Sequence, residues 1–184
     1  MKIAFVNGKG GVGKTTVSLM LAATFHQIGQ DVSIEDRDPQ QSATILAPNL
    51  SLSISTGAPT VIIDTAPRLD HRPTLDAIRT ADLVVLISSP SPADLASTVK
   101  TAQVIQENRN SKKLTRVLFN SVQVHTRLAH GLDELRGNFP FPVVKNHLSR
   151  RQAYQLATLY GWKELNTEAR EEILKVAVEL LNQK

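Results

Sequence analysis

No cysteine occurs anywhere in the 184-residue chain, which removes disulfides, thiolate zinc sites and iron–sulfur ligation together. No apolar run approaches the roughly 18 residues that span a bilayer. The opening MKIAFV is too short for the apolar core of a secretory signal and runs straight into Asn-Gly, so a cytoplasmic location is expected. His125 and His130 are five positions apart and share no helix face, so no histidine metal site is expected. Internal repeats, linkers and domain boundaries are also absent from the pattern.

What is present describes a globular chain. Hydrophobic residues make up 41% and charged residues 21%, and the length suffices to bury a full core. The net charge of +4 is spread unevenly. Residues 1–111 carry nine Lys/Arg against ten Asp/Glu, whereas residues 112–184 carry twelve against seven. A basic C-terminal half points to a polyanionic partner, weakly, because surface lysines and arginines are ordinarily just solvated.

Short apolar runs alternate with helix-length segments. KIAFV (Lys2–Val6) reads as a buried strand that empties into a Gly-rich loop. From Lys14, the residues Val17, Met20, Leu21, Phe25 and Ile28 fall on one helix face, and Gly29 closes the helix. DVSIED alternates as a strand, while TVIIDT and DLVVLIS are continuous runs suited to a sheet buried on both faces. Ser91-Pro92 opens a helix with serine as cap and Asp94 in its first turn, and Leu95, Val99 and Ala102 line its expected inner face. RVLFN (Arg116–Asn120) is the next strand, and FPFPVV (Phe139–Val144) is a Pro-broken edge strand. Helices over Arg150–Leu159 and Thr167–Asn182 follow, and Ser42–Pro59 carries no regular pattern. Strands alternating with helices specify an α/β fold, a mostly parallel twisted sheet with helices on both faces.

GKGGVGKT fits the G-x-x-x-x-G-K-[ST] phosphate loop from Gly8 to Thr15. Gly8, Gly10, Gly11 and Gly13 let the backbone turn tightly and, with Lys9, Val12 and Thr16, aim N–H groups at phosphate oxygens. The helix starting near Lys14 adds the positive end of its dipole. Lys14 is placed to reach the β- and γ-phosphates of ATP, and Thr15 to put its hydroxyl on Mg²⁺. A second carboxylate belongs at a neighbouring strand tip, and TVIID supplies Asp64 for the metal. In EDRDPQ, Asp36 and Asp38 bracket Arg37. Two carboxylates so close to a triphosphate are costly unless a cation or a reacting water lies between them. Asp38 is therefore expected to orient the attacking water, and Asp36 to sit nearer the metal. A solvated, Asp-rich turn is the plainer alternative for both.

Three pieces together, KGGVGKT (Lys9–Thr15), DRDPQ (Asp36–Gln40) and VIIDTAP (Val61–Pro67), resemble the deviant Walker A, A′ and B segments of the ParA/MinD ATPases. ADLVVLISSPSPADL (Ala81–Leu95) matches that family's next strand and helix start. The chain is most similar to the small ParA type, which includes ParF-like plasmid partition and carboxysome-positioning proteins. The resemblance implies a three-layer P-loop NTPase fold with residues 1–184 as one domain. It also implies that Lys9 is the signature lysine, which crosses a homodimer interface to the partner's bound phosphates, and that Asn120 contacts adenine. As a strand-end asparagine, Asn120 reads equally as a turn residue. The family pattern Asp-x-Pro-Pro is broken here by Ala66.

The resemblance further implies non-specific DNA binding on the nucleoid and a ParB-like or other cargo adaptor that stimulates hydrolysis. The basic stretch holding Lys145, Arg150, Arg151 and Lys163 is the expected DNA contact, through phosphates rather than base edges. Tyr154, Tyr160 and Trp162 fit core positions better than stacking platforms. A MinD-like membrane ATPase is the alternative from another class. It needs a basic amphipathic tail, and Glu168 to Lys184 holds four glutamates against three basic residues. A small-molecule ligase on the same scaffold is opposed by Lys9, so no membrane partner and no acceptor substrate are expected.

Overall fold

The computed structural model describes residues 1–182; Gln183 and Lys184, which enter the tail's charge count, lie outside them. Six strands, β1 (Lys2–Val6), β2 (Val32–Arg37), β3 (Ser53–Ile54), β4 (Thr60–Thr65), β5 (Leu83–Ser88) and β6 (Leu114–Phe119), form one sheet in the order β3-β2-β4-β1-β5-β6. Every pairing is parallel. The order reverses direction at β1, so the loop after β1 opens at the switch point, where the carboxyl ends of the strands part.

Strand side chains alternate between two cores. Ile3, Phe5, Ile34, Ile62 and Val85 enter one, and Ala4, Val6, Val61, Ile63 and Val84 the other. Helix α1 (Lys14–Gln27) packs in the first core. It ends in a Schellman arrangement around Gly29 (φ 80°), with Gln30 N–H on Phe25 O at 2.9 Å and Gly29 N–H on His26 O at 3.0 Å. The one-face reading of α1 was too narrow. Residues Val17 through Phe25 are all buried, because α7 (Gln152–Tyr160) and α8 (Thr167–Leu181) cover the side that the sheet does not. Ile28, beyond the last turn, is instead exposed.

The short α2 (Ser42–Leu46), a 3₁₀ turn (Ala47–Leu50) and β3 occupy the stretch without a sequence pattern. On the opposite face of the sheet lie α3 (Arg72–Thr80) and α4 (Pro92–Asn108). Ser91 caps α4 as expected, accepting Asp94 N–H. Its inner face, however, is Thr98, Thr101, Ala102 and Ile105, and Val99 faces out. The threonine hydroxyls are satisfied by carbonyls one turn back, Thr98 on Asp94 O at 2.7 Å and Thr101 on Ser97 O at 2.9 Å. The hairpin of α5 (Arg127–His130) and α6 (Leu132–Arg136) packs against Phe119 and Val122 past the end of β6.

Phe139–Val144 is not a strand. It touches the sheet edge through a single parallel bridge, Val117 to Val143, because Pro140 and Pro142 have no N–H with which to extend a ladder. Of the three aromatics near α7, Tyr154 is buried and Trp162 half-buried against the core, but Tyr160 is exposed. Among the described residues no helix is long and apolar enough to cross a membrane.

Candidate functional site

The tips of β1, β5 and β6 and the segments following β2 and β4 open on one cleft of about 1060 Å³. Its floor is the loop between β1 and α1. Gly11 (φ 79°) and Gly13 (φ 93°) stand in left-handed conformations, and a Cβ on Gly13 would come within 2.3 Å of Asn120 Nδ2. Gly13 is the N-cap of α1; no side chain caps the helix and no acid stands in its first turn. The free N–H groups of that turn therefore point into the cleft as a site for an anion.

The loop is anchored from behind by Asn7, which is fully buried. Its Nδ2 donates to Ile87 O (2.7 Å) and Thr98 Oγ1 (3.1 Å), and its Oδ1 accepts Lys9 N–H (2.8 Å) and Ser97 Oγ (3.1 Å). Asn120 adds a clamp from β6, donating Nδ2 to Val12 O at 2.8 Å. That bond ties the loop to the end of β6, and Asn120 also lines the cleft.

Lys14 is buried, with Nζ donating to Lys9 O at 3.0 Å. Burial lowers its pKa, opposed by the charges of Asp64 and Asp38. Thr15 lines the cleft and donates to Asp64 Oδ2 at 2.7 Å, while Ser18, one turn along α1, donates to Asp64 Oδ1 at 3.3 Å. Asp64 itself lies beneath the floor with no exposure, and burial pushes its carboxyl up to about 6. Asp36 pairs in register with Asp64 across β2 and β4. Both Asp36 oxygens are engaged: Oδ1 accepts Asp38 N–H (3.0 Å), and Oδ2 accepts the N–H (2.8 Å) and hydroxyl (3.1 Å) of Thr44. Asp36 therefore shapes the turn that presents Asp38, and only Asp38 of the pair lines the cleft. Asp38 Oδ1 accepts Gln40 N–H at 3.0 Å. Ala66 is buried, and Pro67 after it lines the cleft near Gly10.

Lys9 stands at the rim, and its ammonium is bonded to Asp94 at the start of α4, whose other oxygen takes the Ser89 hydroxyl. The four basic residues grouped by sequence are carried by different parts of the chain. Arg150 and Arg151 sit on the cleft wall, and Arg151 pairs with Glu172 at 3.2 Å. Lys163 lies past the far end of α7, and Lys145 lies beside Glu179 of α8. Sequence reasoning missed Asn7, Ser18 and Glu172. The T-x-x-S spacing from Thr15 to Ser18 was the one available signal, since residues three apart share a helix face.

An uncapped helix start, a buried lysine and a hydroxyl–carboxylate pair at the switch point of a parallel sheet define a nucleotide-binding site of the P-loop class. Residues 3–161 match the CobQ/CobB/MinD/ParA nucleotide binding domain, and the chain belongs to that family. The maintenance of carboxysome distribution protein A (McdA) of Gloeobacter kilaueensis is 32% identical over 205 residues, covering 97% of this chain and 93% of that protein. An McdA variant from Cyanothece, solved in complex with ATP, superimposes with a TM-score of 0.76 at 15% identity, covering 100% of this chain and 96% of that one. The cobyrinic acid a,c-diamide synthase of Mycobacterium smegmatis, solved with ADP and magnesium, gives a TM-score of 0.74 at 17% identity over 98% of this chain and 93% of that one. At these identities the two structures establish the P-loop NTPase fold.

Proposed function

We propose that this chain is a Mg·ATP-dependent positioning ATPase that pairs into a dimer on ATP, holds DNA without sequence preference, and lets go when a cargo adaptor stimulates hydrolysis. The kinship with carboxysome-distribution proteins favours a carboxysome-like cargo over a plasmid or chromosome. The observation that carries the reading is the convergence of Lys14, Thr15, Asp64 and Asp38 on the uncapped start of α1.

The residues divide the work. Backbone N–H groups from Gly10 to Thr16 and the Lys14 ammonium hold the phosphates. Among the described residues no cluster of three metal-ligating side chains exists. One hydroxyl backed by one buried carboxylate still suits Mg²⁺, which takes few protein ligands and completes its shell with water and phosphate. Thr15 would hold it directly, with Asp64 behind; bound there it neutralises phosphate charge. Asp38 orients a water toward the γ-phosphorus and accepts its proton as the new P–O bond forms and the bond to the β-phosphate oxygen breaks. Lys9 supplies a second cation to the partner's triphosphate, so nucleotide binding and pairing become linked. In the isolated chain that lysine is held by Asp94, and pairing exchanges Asp94 for the partner's phosphates. DNA phosphates are met by exposed basic residues of the C-terminal half, including Lys145 and Lys163.

Light scattering with ATP, Mg²⁺ and a short duplex tests this. Wild type is expected to form a dimer that binds the duplex only with ATP, while Lys9→Ala binds ATP as a monomer. A normal ATP-dependent dimer of Lys9→Ala would remove Lys9 from the interface.

A further inference from the structure

Two glutamates on α8, seven residues apart, hold the segment that runs from Lys145 to Arg151. Glu179 accepts the main-chain N–H groups of Lys145 (2.6 Å) and Asn146 (3.1 Å) and the Asn146 side-chain amide (2.8 Å). Glu172 Oε1 accepts Ser149 N–H at 2.6 Å and the Tyr154 hydroxyl at 2.8 Å. Its Oε2 accepts the Ser149 hydroxyl at 2.7 Å and two Arg151 nitrogens, Nε at 3.3 Å and Nη2 at 3.2 Å. On its other side the segment is stitched to the end of β6. Leu148 N–H meets Phe119 O (2.9 Å), Val122 N–H meets Leu148 O (3.0 Å), and Arg150 N–H meets Val122 O (2.8 Å).

The segment so held continues the cleft past Asn120, away from the phosphate loop, through Ser149, Arg150, Gln152 and Gln155. A ligand whose phosphates lie on Gly10–Thr15 extends its remaining part along this wall. Arg150 is exposed there and forms no ion pair among the described residues. Four donor groups, the Ser149 N–H and hydroxyl, the Tyr154 hydroxyl and the Arg151 guanidinium, converge on two oxygens, a load that a carboxylate, with about four lone-pair sites, can carry and a neutral amide cannot. Burial, and next the charge of Glu172, raise the Tyr154 pKa, so the phenol stays a donor.

We propose that Glu172 is a positioning residue for the nucleoside end of the cleft, fixing Ser149–Arg151 and Tyr154 so that Arg150 and the adjoining main chain meet the base and ribose. This rests on the nucleotide reading above and adds to it the element that sets affinity for the part of the ligand that is not phosphate. Glu172→Gln changes almost no volume but turns an NH₂ toward donors, which displaces the segment.

The test compares ATP with inorganic tripolyphosphate, each with Mg²⁺, binding to the full chain by titration calorimetry. Glu172→Gln is expected to weaken ATP about 10-fold, as a misplaced contact wall should, and to leave tripolyphosphate within about 2-fold of wild type. Equal ATP affinity in wild type and variant, or a parallel loss for both ligands, overturns the proposal. Failure of wild type to bind ATP would overturn the nucleotide reading and this proposal with it. Glu172→Asp keeps the charge but withdraws it by one methylene. It reads the same ratio, with a smaller selective loss expected, should the glutamine variant not fold.

Discussion

The two ends of the cleft are built on different plans. At the phosphate end, each group comes from a strand tip or the first turns of α1. Its partners are a few residues away or one strand across, as with Lys14 on Lys9 O and Thr15 and Ser18 on Asp64. At the other end the sheet supplies main-chain bonds from the end of β6. A loop is held there from behind by glutamates of α8 that lie 23 to 34 residues further along the chain from the main-chain groups they bind. The first plan buries charge close to the chemistry and perturbs its titration; the second keeps its carboxylates away from the ligand and uses them as anchors. The contrast implies that the far wall can be altered without disturbing the chemistry, whereas the phosphate end cannot be changed piecemeal.

The largest effect expected lies at the phosphate end. Lys14→Ala should lower ATP turnover by about 10²–10³-fold, the usual loss when one charge-stabilising donor is removed. A steady-state assay that finds more than a tenth of wild-type turnover would break the contrast. Next is Asp64, whose pKa burial raises to about 6 from 3.8. Between those values the folded chain keeps a proton that the unfolded chain has released. Through this group the ligand-free fold therefore gains stability as pH falls from 7 toward 4 and loses it as pH rises through 6. Asp64→Asn removes that penalty. Denaturant unfolding of the ligand-free variant should show about 3 kcal/mol more stability near pH 8, a difference that closes toward pH 4, while Mg²⁺-dependent turnover is lost. A pH-independent difference would show that the Asp64 carboxyl does not titrate as its burial requires. The smallest effect belongs to the far wall. Tyr154→Phe removes hydrogen bonds to Glu172 and Ala169 O and should cost about 1 kcal/mol in the same unfolding experiment. Tripolyphosphate affinity should not change, and a loss there would join the two ends that the contrast separates.

Legibility in the sequence follows the same division. The phosphate loop, the strands around Asp36 and Asp64 and the cap at Ser91 were readable because their physics is local: glycines, apolar runs and a cap lie within a few residues of what they serve. Two helix faces were misread because small polar residues were buried. Ser18 and Thr24 complete the all-round burial of α1, and Thr98 and Thr101 supply the inner face of α4. No periodicity of apolar residues reveals such faces, since Thr24, Thr98 and Thr101 can be buried with their hydroxyls satisfied by carbonyls one turn back in their own helices. Glu172 and Glu179 were less readable still. On an amphipathic helix they look like solvated charges, and their task is set by a loop that folds against them from earlier in the chain.

Lys9 and Asp94 bear on reversibility. In the pairing proposed above, an ammonium already neutralised within its own subunit would give up one anion to acquire another, so the electrostatic gain on association would be a small difference between two attractions. Two copies joined in that way would part readily once the competing phosphate departed. The carboxylate at the start of α4 would then be in place to recapture the side chain, returning each subunit to the ion pair seen in the single chain.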